Sequence, residues 1–72
     1  MIRVLSTESV DKFVLVTVQH DGLANVADLR AAAINAALDA EKKFDLSSER
    51  ASGRGAVITF SWTALDSAAP SV

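Results

Sequence analysis

The segment Phe13-Val14-Leu15-Val16-Thr17-Val18 constrains this chain more than any other. Successive side chains of a β-strand point to opposite faces, and in this segment both faces would be apolar. A chain of 72 residues has little material with which to cover both sides of such a strand, and it shows only one long helical segment. One face is therefore expected to remain open to a second copy, a partner or a ligand.

Size leads to the same expectation. A single core in so short a chain gives marginal stability, which disulfides, metals or oligomerisation commonly supplement. Cysteine is absent and His20 is the one histidine, so disulfides are excluded and a structural zinc site lacks its ligands. No metal or other cofactor is expected, and oligomerisation is the support that remains. Nine acidic against seven basic residues give a formal charge of -2, which lacks the excess that non-specific phosphate binding draws on. No apolar run approaches the ~20 residues needed to cross a bilayer, and the first residues carry no apolar run of signal-peptide length. The chain reads as soluble and cytoplasmic, from a bacterium, a phage or a similar setting.

Ile2 to Ser6 is apolar enough for a short strand, and Thr7-Glu8-Ser9-Val10-Asp11 reads as a polar turn leading to a longer antiparallel strand from Lys12 to His20. Asp21-Gly22 stops that strand: Gly22 permits a positive φ, and Asp21 can bond its own backbone two residues on. Asn25 is a good N-cap, and Asp28 falls in the first turn of a helix beginning at Val26. At 100° per residue Val26, Leu29, Ala33, Ala36, Ala37, Ala40 and Phe44 form one stripe, with Lys42 and Lys43 in the last turn. Because the stripe is mostly alanine, the helix can approach a sheet closely, and Ile34 and Leu38 form a second small apolar ridge beside it.

Asp45 to Gly55, rich in Ser, Gly and charge, reads as a loop. Ala56 to Ala64 is a strand in which Ala56, Ile58, Phe60, Trp62 and Ala64 point one way and Val57, Thr59, Ser61 and Thr63 the other. Residues 66–72 read as a flexible C-terminal tail. The expected fold is a single α+β domain over residues 1–65, ordered ββαβ, with a three-stranded antiparallel or mixed sheet and one helix packed on one face. The helix should cover Val14, Val16 and Val18 together with the aromatic side of the last strand. Phe13, Leu15, Thr17, Val57 and Thr59 then share the opposite face and form the expected protein interface.

Catalytic constellations are sparse. His20 beside Asp21 suggests a general base, yet adjacent residues at a strand end point apart and no activated nucleophile stands near them. The serines lack a G-x-S-x-G context, and the acids lie in turns and on the polar helix face rather than paired across a cleft. No catalytic residue is assigned, and the chain is not expected to be an enzyme. Ser52-Gly53-Arg54-Gly55 has the flexibility and charge to wrap a phosphate, although both glycine-rich nucleotide signatures are absent. Arg3, Lys12, Arg50 and Arg54, gathered at one edge with Phe13 or Trp62 stacking on a base, would make a small nucleic-acid-binding protein. In that alternative Arg50 and Arg54 are the phosphate or nucleic-acid contacts.

The leading expectation is a non-enzymatic protein-binding module, homodimeric through its sheet, either edge to edge or face to face through Phe13 and Leu15. In type and size the chain is similar to the small acidic proteins by which phages and mobile elements inhibit a host protein, anti-CRISPR inhibitors among them. That likeness implies a host protein as partner, with Asp11, Asp21, Asp39, Glu41 and Glu49 competing with nucleic acid for a basic channel.

Overall fold

The computed structural model describes residues 1–65. Strands β1 (Ile2–Val10) and β2 (Phe13–His20) precede helix α1 (Val26–Asp39), and strands β3 (Phe44–Arg54) and β4 (Val57–Ala64) follow it. All four strands form one antiparallel sheet in the order β1-β2-β4-β3. The chain leaves β2 through α1, reaches the far edge as β3, and returns as β4 to fill the gap between them. The α+β class with one helix stands as expected.

The expected three-stranded sheet is corrected to four strands, and ββαβ to ββαββ. Asp45–Gly55 is not a loop: most of it is β3, paired with β4 from Phe44↔Ala64 to Arg54↔Val57 and interrupted by a bulge between Asp45 and Arg50. The polar segment Thr7–Val10 is likewise no turn, since β1 runs on to Val10 with a bulge between Val4 and Ser6. The tail expected at 66–72 lies outside the described residues.

Helix α1 starts where the capping residues predict. Asn25 is extended, and its side chain accepts a hydrogen bond from the Asp28 N–H at 2.8 Å. The helix ends earlier than its apolar periodicity suggested. Glu41, at φ 60°, turns the chain, the Glu41 N–H donates to Leu38 O, and the Lys42 N–H donates to Ala37 O. These are the paired bonds of a Schellman motif with a glutamate where glycine is usual. Lys42 and Lys43 therefore lie beyond the helix, and Phe44 belongs to β3.

The core lies between α1 and one face of the sheet. Val14, Val16, Val18, Phe60 and Trp62 are buried beneath Leu29, Ala33 and Ala37, as the alternation in β2 and β4 requires. Val26 does not belong to the packing stripe and is largely exposed. The helix lies mainly over β1 and β2. Toward β3 the link is polar: Arg30 Nε donates to both carboxylate oxygens of Glu49, at 2.7 and 2.9 Å. Phe44 packs its ring 4.7 Å from that of Trp62, which closes the core on this side.

Candidate interaction face of the sheet

The face opposite α1 carries no layer of the described chain. Strand register sets out its side chains in rows. Arg3, Gln19, Val57 and Arg54 cross the sheet in one row, and Ser6, Thr17, Thr59 and Ser52 in the next. Glu8, Leu15, Ser61 and Arg50 form the third, and Val10, Phe13, Thr63 and Asp45 the fourth. The face is thus graded. Apolar side chains gather at the β1–β2 turn, hydroxyls cross the middle, and arginines stand at both edges of the other end.

Phe13, Leu15, Thr17, Val57 and Thr59 all occupy this face, on the two central strands. Phe13 is 48% exposed and Val10 beside it 45%, unusual openness for an aromatic and a branched aliphatic side chain in register on one sheet. Leu15, Thr17, Thr59 and Ser61 are half-buried by their neighbours. The Thr17 and Thr59 hydroxyls lie 3.2 Å apart and share a hydrogen bond across the β2–β4 seam.

At the apolar end, β3 bulges away from β4 and leaves a hollow of about 380 Å³ lined by Phe13, Arg50, Ser47, Ser48, Ser61 and Thr63. The bulge is internally braced. Asp45 accepts from the Ser47 N–H and hydroxyl at 3.0 and 2.7 Å, and the side chain of Ser48 donates to Asp45 O while accepting from the Thr63 N–H. Hydrogen bonds from the Ser47 hydroxyl and N–H hold the Asp45 carboxyl below the usual carboxylate range.

The cationic residues do not gather at one edge. Arg3 lies on β1 and Arg50 and Arg54 on β3, the two opposite edges of the sheet, and Lys12 sits in the β1–β2 turn at the other end from Arg3 and Arg54. Trp62, 0% exposed, is core and offers no surface for a base. Nor do Ser52-Gly53-Arg54 form a phosphate-wrapping loop, because these residues pair with Thr59, Ile58 and Val57 in the ladder.

His20 and Asp21 are occupied with the turn rather than with each other. The Gly22 N–H donates to His20 Nδ1 at 3.1 Å, and the Leu23 N–H to Asp21 Oδ1 at 3.0 Å, the local bond that the Asp-Gly pair predicts. No group of three or more potential metal-binding His, Cys, Asp or Glu side chains occurs among the described residues. No helix among them is long and apolar enough to cross a membrane.

The row of hydroxyls and the pairing of Val10 with Phe13 were not evident from the sequence, because both depend on the registers of the two edge strands. Only the alternation within β2 and β4 could be read in advance. No family model matches the chain, and no curated protein or solved structure matches it either.

Proposed function

We propose that the chain is a non-enzymatic protein-binding module and that a second copy of itself occupies the helix-free face of the sheet. The observation that supports this reading is the half-exposed Phe13, set in register beside Val10 and adjoining Leu15 on a face with no covering layer. Four strands about 4.8 Å apart, the two central ones eight residues long at about 3.3 Å per residue, present roughly 19 by 26 Å, or about 500 Å². Two such faces in full overlap reach the ~1,000 Å² at which a specific interface begins. The dimer is accordingly expected to be weak and concentration-dependent.

Face-to-face association is favoured over edge-to-edge pairing. Each edge strand carries a bulge, between Val4 and Ser6 in β1 and between Asp45 and Arg50 in β3, and bulges disrupt the straight ladder that another strand would extend. Light scattering after size exclusion, across a concentration series, tests the proposal. The expected result is a monomer–dimer equilibrium that Phe13→Lys and Leu15→Lys shift to monomer while circular dichroism shows the fold retained. A strict monomer at millimolar concentration overturns it.

A second reading draws on the other end of the same face. The hydroxyl row lies next to Arg3 and Arg54, an arrangement suited to a phosphate backbone crossing the sheet. A salt-dependent gel shift with oligonucleotides, lost in Arg54→Glu, would establish it; no shift at low salt would exclude it.

A further inference from the structure

On the other side of the molecule, between α1 and the start of β3, runs a groove of about 300 Å³ lined by Ile34, Leu38, Phe44, Leu46 and Leu65 together with Lys42 and Lys43. Its leucines come from three separate segments, the helix, the β3 bulge and the residue after β4, and they remain 57%, 46% and 55% exposed. The walls are fixed in place: the Leu65 N–H donates to Lys43 O at 2.9 Å, the Lys42 N–H to Ala37 O at 3.0 Å, and Phe44 packs against Trp62. A chain with a net charge of -2 here has two lysines and no acid in the lining. Neither lysine has an ion-pair partner among the described residues.

We propose that this groove binds a single-chain anionic amphiphile of the fatty-acid class, its hydrocarbon chain lying along Leu38 and Leu46 and its carboxylate at Lys42 and Lys43. The argument rests on complementarity of charge and shape. An apolar trough with two lysines in its lining, neither of them ion-paired among the described residues, matches a molecule with an apolar tail and one anionic head. The groove is too small for both chains of a phospholipid. It lies on the opposite side of the sheet from Phe13 and Leu15, so it is independent of the proposed dimer.

The test is an amide chemical-shift titration of the whole chain with decanoate and dodecanoate below their micellar concentrations. Saturable shifts are expected at Ile34, Leu38, Leu46 and Leu65, with dodecanoate binding about fifteenfold more tightly, since each buried methylene contributes about a fourfold gain. Decyltrimethylammonium, with an equivalent tail and the opposite charge, should bind at least tenfold more weakly than decanoate. Lys42→Glu with Lys43→Glu should abolish that discrimination. Leu46→Asp, at a position 46% exposed, should weaken both ligands while circular dichroism shows the fold retained. Three results overturn the proposal: no saturable shift in the groove, equal affinity for the two head groups, or binding to phosphatidylglycerol vesicles with none to free decanoate. Binding that appears only after residues 66–72 are removed would also overturn it, by showing that those residues are the occupant.

Discussion

The indole N–H of Trp62 donates to Glu49 Oε1 at 3.0 Å, which couples a fully buried ring to a carboxylate on an edge strand. Glu49 also takes both bonds from Arg30, so one side chain serves the core and the helix together. The donor it satisfies lies on a residue with no exposure to solvent.

Removing that acceptor leaves a buried N–H without a partner. Glu49→Leu is expected to cost about 1–3 kcal/mol, the usual penalty for an orphaned buried donor. Glu49→Gln keeps an acceptor for the indole and loses only the half-exposed charge pairing with Arg30, worth about 1 kcal/mol or less. Denaturant unfolding followed by the fluorescence of the one tryptophan measures both. Equal losses in the two variants would show that the bond to Trp62 is not what Glu49 contributes.

Among the described residues, two other than glycine hold positive φ, Asp11 at 54° and Glu41 at 60°. The first opens the two-residue turn between β1 and β2, and the second is the C′ residue of α1. A left-handed conformation costs a side-chain-bearing residue about 1–2 kcal/mol, while glycine gives back about 0.5–1 through unfolded-chain entropy. Asp11→Gly and Glu41→Gly should each stabilise the fold, by about 0.5–1 kcal/mol. Thermal melts of the single and double variants should show additive gains.

Ala33 and Ala37 are fully buried because their small side chains set the distance between α1 and the sheet. Ala33→Leu forces the helix away from Val16 and its neighbours, and should cost about 1–3 kcal/mol. Ala31→Leu, at an exposed helical position, should change stability by no more than about 0.5 kcal/mol. A similar response at both positions would mean that the helix floats on the sheet rather than packing against it.

The lowered pKa of Asp45 makes the β3 bulge acid-sensitive. Because the folded value lies below the unfolded one, near 3.9, the contribution is fully present above the unfolded pKa and disappears as pH falls through the folded value. Ser47→Ala removes the hydroxyl bond and leaves the backbone bond, so the Asp45 pKa should rise part of the way toward the ordinary value. Carbon-detected titration of the Asp45 carboxyl group reports this, and an unchanged midpoint would show that the Ser47 hydroxyl plays no part.

Central elements were legible in advance, whereas of the edge strands only the first half of β1, Ile2 to Ser6, was and β3 was not. Apolar alternation marks β4 and places Val14, Val16 and Val18 with Phe60 and Trp62, while Asn25 and Asp28 mark the start of α1, because burial and capping impose specific residue types at specific spacings. β3 escapes such reading. Along Arg50-Ala51-Ser52-Gly53 the residues on the helix side are an alanine and a glycine, and the others face water, so no apolar period appears. At Gly53 even a methyl group would fall 2.2 Å from Val57 O, so close packing of two backbones replaces the side-chain signal. The end of α1 was hidden for a related reason, since the residue that turns the chain there is Glu41 rather than glycine. The composition of the open face was legible from β2 and β4 alone, whereas its grading from apolar to cationic required the edge registers.

Each outer strand is joined to its inner neighbour by a turn of two residues, so β1–β2 and β3–β4 can form as local hairpins. The β2–β4 seam is different. It brings together Thr17 and Thr59, 42 positions apart, and it pairs Val14 with Trp62 and Val16 with Phe60. Closing that loop is the main entropic step left once the hairpins exist, which places the kinetic barrier to folding at the seam. Substitutions at Val16 and Phe60 should therefore slow folding, whereas those in either turn should chiefly speed unfolding.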